Sequence, residues 1–193
     1  MRYAADHKDR TRQRLLVEAA KAIRRDGPDK VSVAGVMSAA GLTHGGFYAH
    51  FASRDDLIAE AVSQMFREGA ERLVQAQQGR GPREALRDYV DFYLSPAHRD
   101  ARTAGCPLPF LSADAPRLSS QVRDRFAEGV RDLEAALRQL LSALDRQPAE
   151  AGSLLAEMAG ALALARAEPD RTRADAMLER SKASLVSRFG LAA

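Results

Sequence analysis

Apolar positions along the chain recur at helical spacing from near its start. From Arg10 to Asp26, Leu16, Ala19, Ala20 and Ile23 follow i, i+3, i+4, i+7, the stripe of one helix. Gly27 and Pro28 end it, because glycine suits a helix exit and proline cannot continue the ladder. Ser32 reads as an N-cap, and behind it Val33, Val36, Met37 and Ala40 repeat the spacing over about two turns. Gly41 stops that helix. Thr43 can cap a third, in which Phe47 and Phe51 lie four apart and face inward together. Ser53 caps a fourth, with Asp55 and Asp56 in the first turn, where acids suit the helix dipole. Leu57, Ala61, Met65 and Glu68 lie along one side of it, and the pattern runs to about Gln78 before GRGP breaks it at 79–82.

The rest is also helical in pattern, with less regular joints. Leu86, Tyr89, Val90 and Tyr93 share one side of a helix over 84–94. In the next segment Pro96, Pro107, Pro109 and Pro116 exclude one long helix. Residues 118–144 form a long amphipathic stretch, residues 150–167 are apolar over much of the circumference and dense in Ala and Gly, and residues 174–189 make a last helix. No strand alternation of useful length and no internal repeat is present. The expectation is an all-α fold of about nine helices.

Composition changes this picture little. Of the residues 46% are hydrophobic and 28% charged, ordinary values for a helical globular protein, and the formal net charge is only +3. Whole-chain charge is therefore a weak argument for a nucleic-acid partner, although the sequence pI is about 9.3. A single cysteine, Cys106, excludes an intrachain disulfide framework and a multi-cysteine metal site. No apolar run reaches the length of a membrane span, and the charged N-terminus is no secretory signal, so a cytoplasmic protein without a membrane partner is expected. His7, His44, His50 and His98 are scattered without metal-ligand spacing, and no phosphate loop or nucleophile elbow is present. Neither catalysis nor a cofactor is expected.

The chemistry concentrates in GLTHGGFYAHF, residues 41–51. Residues 32–51 read as short helix, glycine-containing turn and second helix, the helix-turn-helix layout whose second helix enters the DNA major groove. With Phe47 and Phe51 inward, Thr43, His44, Gly45, Gly46, Tyr48 and His50 face outward or flank the contact surface. Hydroxyls, imidazoles and free N–H groups at a helix N-terminus match phosphate oxygens. At the first turn the glycines interrupt few intrahelical bonds and remove side chains where DNA comes closest. Arg10, Arg12 and Arg14 add cations on the first helix and Arg54 one on the fourth, though such arginines also serve as a solvated face.

Residues 11–62, with an Ala-rich first helix, the A-G-L turn, F-Y-x-H-F and S-R-D-D-L, resemble the DNA-binding domain of the tetracycline-repressor (TetR) family. The resemblance implies a helix-turn-helix DNA-binding domain over 1–55 and a ligand-binding and dimerisation domain over 56–193. It implies a homodimeric repressor that binds a palindromic double-stranded DNA operator and is released by a small-molecule inducer, apolar or electrophilic. By motif position Thr43, Tyr48, His50 and Arg54 would contact phosphates, Ser32 would meet one at the start of the second helix, and His44, Gly45 and Gly46 would face base edges. Arg54 stands where the family usually has Lys, and Ala49 where larger residues are frequent.

The resemblance also implies that the last two helices form the dimer interface. The small residues of 150–167 agree with it, and Leu178, Leu185, Val186 and Phe189 offer a second apolar stripe, although either helix can equally be an intrachain core helix. Candidate ligand liners between the middle helices are Met65, Phe66, Tyr89, Phe92, Tyr93, Cys106, Phe110, Phe126 and Met158, residue types that at helical spacing also serve as plain core. AGCPLPFL, residues 104–111, resembles a G-C-P-L segment of one branch of the family. Cys106 raises the alternative of a regulator that senses electrophiles or oxidants through a thiol, which requires a low thiol pKa from a nearby cation or helix N-terminus. A DNA-binding protein without an inducer is the other alternative.

Overall fold

The computed structural model describes residues 2–192, with side chains from His7 onward. The described chain is all-α, with nine α-helices and no strand: α1 (Arg2–Asp26), α2 (Val33–Ala39), α3 (Arg54–Gln77), α4 (Pro82–Tyr93), α5 (Pro96–Asp100), α6 (Leu108–Leu111), α7 (Ser120–Ser142), α8 (Glu150–Ala167) and α9 (Arg171–Phe189). Short 3₁₀ segments stand at Pro28–Lys30, His44–Ala49 and Ala115–Arg117.

The local signals act where the sequence places them. Ser32 caps α2, its Oγ accepting from the Gly35 N–H at 3.1 Å, and Ser53 caps α3 by accepting from the Asp56 N–H at 3.0 Å. After α2 the chain turns through Gly41, whose φ of +68° lies in the left-handed region. The Leu42 N–H donates back to the Met37 carbonyl at 2.9 Å and the Gly41 N–H to Ser38, so the helix exit is satisfied by its own backbone.

The third expected helix differs. His44–Ala49 is a six-residue 3₁₀ segment, and the Thr43 side chain makes no cap bond. Two glycines each cost an α-helix about 1 kcal/mol, and the segment must end before the Ser53 cap of α3. The tighter coil still buries Phe47 and Phe51, which stack with centroids 5.7 Å apart.

α3 is the central element, packed on α1, α4 and α7, while α8 packs on α7 and α9. One hydrophobic cluster runs without a break from Leu15 on α1 to Leu191 beyond α9, crossing residue 55. Fully burying side chains such as Leu57, Ile23 or Leu137 is worth roughly 1.5–3 kcal/mol each. Leu178, Leu185 and Phe189, expected on a dimer face, are buried within the protomer instead, with only Val186 partly exposed. The outward stripe of α8 is small, with Ser153, Ala156, Gly160 and Ala167 exposed around Leu164. No helix among the described residues is long and apolar enough to cross a membrane.

Candidate nucleic-acid interface

Thr43, His44, Gly45, Gly46, Tyr48 and Ala49 are all exposed, and between them only Phe47 points into the core. Tyr48 is 71% exposed, held edge-on against Phe47 with centroids 5.2 Å apart, so its hydroxyl projects on a fixed aromatic base. A Cβ added at Gly45 would meet nothing within 4 Å, and one at Gly46 would make ordinary contact with Met37 at 3.6 Å. Neither glycine has a positive φ. Ser32 stands exposed at the start of α2, with its hydroxyl oxygen committed to the cap and its O–H still able to donate.

His50 closes this surface toward α1. Its Nδ1 is buried without a hydrogen-bond partner, and burial holds its pKa below the usual histidine value, helped by the nearby charges of Lys8, Arg12 and His7. Arg12, expected as a cation for DNA, lies over the Phe51 ring at 4.9 Å and pairs with Glu60 at 3.3 Å. Arg14 is exposed. Lys8 and His7 belong to no motif in the sequence, and only their approach to His50 marks them for this surface.

Arg54 differs most from expectation. Its Nε donates to the Val31 carbonyl at 2.7 Å, and Nη2 donates to those of Pro28 at 2.6 Å and Asp29 at 3.1 Å. Only Nη1 is left, 3.7 Å from Asp55. The side chain expected on phosphate instead ties the start of α3 to the turn before α2.

Residues 15–61 match the family model of the bacterial regulatory proteins of the tetR family. The chain carries the TetR-family N-terminal domain on the TetR-family fold. The reduced form of NemR from E. coli is 23% identical, with a TM-score of 0.77 over 90% of this chain and 94% of that one. A TetR-family regulator from Agrobacterium tumefaciens is 23% identical, with a TM-score of 0.78 over 94% and 98% of the two chains. One from Chloroflexus aurantiacus is 21% identical, with a TM-score of 0.78 over 96% of each. No curated protein sequence matches the chain significantly.

The nine expected ligand liners do not surround one cavity. Met65, Tyr89, Tyr93 and Met158 are at most 2% exposed and fill the core, and Phe126 packs edge-on against Phe66. Phe110 lines a surface cavity beside the end of α1, Tyr89 and Phe92 line a second, and Phe66 lines a third. Large side chains at helical spacing have mostly packed against each other rather than around a void.

Cys106 is buried just before α6. Burial pushes its thiol above the ordinary value, outweighing the opposing influence of Tyr93, Arg166 and Arg24. A thiol sensor needs the opposite shift. Beside it, His98 is 2% exposed, its Nδ1 bonded to the Tyr93 carbonyl at 2.9 Å and its Nε2 accepting from the Cys106 N–H at 3.2 Å. Gly105 permits this approach: its φ is +101°, and a Cβ there would lie 2.4 Å from His98 Nε2. Arg24 of α1 donates to the Gly105 carbonyl at 3.0 Å, and Arg166 of α8 donates to that of His98 at 2.9 Å. Residues 98–105 thus join the helix-turn-helix end of the molecule to α8. In the sequence Arg166 is marked only as the lone cation of the Ala-rich run 150–167.

Proposed function

We propose that the chain is a homodimeric transcriptional repressor that binds a pseudo-palindromic operator and is released from it by a small-molecule inducer. Residues 1–55 serve as the DNA-binding domain and residues 56–193 as the ligand-binding and dimerisation domain. The observation that carries this reading is the pair Gly45 and Gly46: both are exposed, neither needs glycine for its backbone angles, and side chains at both would fit. Neither steric room nor backbone angle requires glycine there, whereas a duplex lying against His44–Ala49 does. Thr43, Tyr48, His50 and Ser32 then meet phosphates, and His44 reaches a base edge. Arg54 holds the frame, with Nη1 alone available to a phosphate. The inducer acts by binding more tightly to the state whose recognition segments no longer match successive major grooves.

The test starts with genomic footprinting to find the operator, followed by gel shifts of wild type and Gly45→Leu and a small-molecule release screen. Gly45→Leu should weaken operator binding by about tenfold or more, equivalent to at least about 1.4 kcal/mol. Its melting temperature should stay within about 2 °C of wild type, as expected of a surface change. Wild-type affinity in Gly45→Leu would refute the contact surface.

A further inference from the structure

Between the end of α1, residues 99–104 and the α8–α9 turn lies a cavity of about 520 Å³, within the usual size range of small-molecule sites. Its wall holds six arginines, Arg24, Arg25, Arg99, Arg102, Arg166 and Arg171, against two carboxylates, Asp100 and Glu168. Most of these charges are matched. Arg99 pairs with Asp100 at 2.9 Å and with Asp175 at 2.5 Å, Arg171 pairs with Asp100, and Arg25 pairs with Asp26 at 2.7 Å. Arg24, 4% exposed, pairs with Glu68 at 2.6 Å, and Glu168 is taken by Arg173 at 3.3 Å.

Arg102 and Arg166 are different. Arg166 is half-buried, and its hydrogen bonds go to neutral carbonyls, those of Arg99 at 3.2 Å and His98 at 2.9 Å. Burial, together with the charge of Arg24, lowers its pKa. Arg102 is exposed on the same wall and has no ion pair or hydrogen bond among the described residues. A partly desolvated guanidinium without a carboxylate is costly, and a planar fork of donors suits carboxylate and phosphate oxygens.

We propose that this cavity binds a small, multiply charged anion, a phosphate ester or a polycarboxylate, held by Arg102 and Arg166. Its place gives the ligand a route to DNA binding. The anion would lie against residues 99–104, which Arg24 ties to α1 through the Gly105 and Thr103 carbonyls. Twelve residues earlier on α1, roughly 18 Å along the helix, Arg12 covers Phe51 beside the recognition segment. The anion is thus an effector at the junction between α1 and the regulatory helices, apart from the cavities lined by Tyr89 and Phe92 or by Phe66.

Isothermal titration calorimetry without DNA tests this independently of the operator reading. Inorganic pyrophosphate and citrate are titrated separately into the full chain, with ionic strength held constant by sodium chloride. At least one should bind saturably at one site per chain. Stronger binding of pyrophosphate supports a phosphate ester, and stronger binding of citrate a polycarboxylate. Arg166→Gln and, separately, Arg102→Ala should each weaken that binding by about tenfold, the scale of a lost charge-assisted hydrogen bond. Arg102 makes no hydrogen bond or ion pair among the described residues, so Arg102→Ala should melt like wild type and keeps the test decisive if Arg166→Gln misfolds. No saturable heat with either probe, or undiminished binding in Arg102→Ala, would overturn the proposal.

Discussion

His98 is held neutral by geometry. With Nδ1–H donating to the Tyr93 carbonyl, Nε2 must keep its lone pair to accept the Cys106 N–H, and a second proton there would face a donor. Burial pushes its pKa down to about 4, against the opposing pull of the Tyr93 carbonyl. In the unfolded chain the ordinary value of about 6.5 returns. Between those values the unfolded chain binds a proton that the folded one does not, so stability is fully present above about pH 6.5 and is lost as pH falls toward 4. The loss attributable to His98 is on the order of 3 kcal/mol over that window. Urea unfolding of wild type and His98→Asn at pH 7 and pH 4.5 checks it. The variant should be weaker at pH 7 yet lose less stability on acidification, and parallel losses would show that His98 is not the titrating group. The sequence placed His98 near Cys106 but not in contact with it, because a positive φ at Gly105 and a turn of the chain separate neighbours in sequence from neighbours in space.

At the scale of elements, Arg54 shows how a local signal and a distant one divide. Ser32 and Ser53 were legible as caps because their partners lie three residues away, inside the window that a sequence pattern exposes. The partners of Arg54 are backbone carbonyls 23 to 26 residues earlier, and a carbonyl leaves no mark in a sequence. Arg54→Ala strands part-buried acceptors on the Pro28–Val31 turn and should cost about 1–3 kcal/mol. Amide exchange should quicken through residues 28–53, a segment hinged on that turn. Arg54→Lys should not restore protection, since a single ammonium cannot span the positions of Nε and Nη2 together. Unchanged exchange in Arg54→Ala would return the residue to a pure phosphate role. The recognition segment was legible as an element but not as a 3₁₀ coil: the spacing of Phe47 and Phe51 fits either geometry, and the choice rests on the glycines and the length between turns.

Across the whole molecule, the all-α architecture followed from apolar spacing, but the face each late helix presents did not. α8 is apolar over most of its circumference, so its pattern cannot choose an inward side. Packing chooses: Leu154, Leu155, Met158 and Leu162 go inside, and Ser153, Ala156, Gly160 and Ala167 are left outside around Leu164, itself 61% exposed. α9 likewise buries Leu178, Leu185 and Phe189 and leaves Ala176, Ala183, Ser184 and Ser187 exposed around Arg180. Two such surfaces of small residues allow close approach of helices from two copies related by a two-fold axis, with Leu164 the largest apolar group on the α8 side. Leu164→Glu places a charge there without disturbing the protomer, since the side chain already faces water. In sedimentation velocity at micromolar concentration wild type should run as a dimer and Leu164→Glu as a single chain. The variant should keep the melting behaviour of a folded protomer and lose operator affinity, because one half-site remains where two acted together. A dimer that survives Leu164→Glu would place the interface on another face, and the spacing of the two recognition segments would then have to be built from that face.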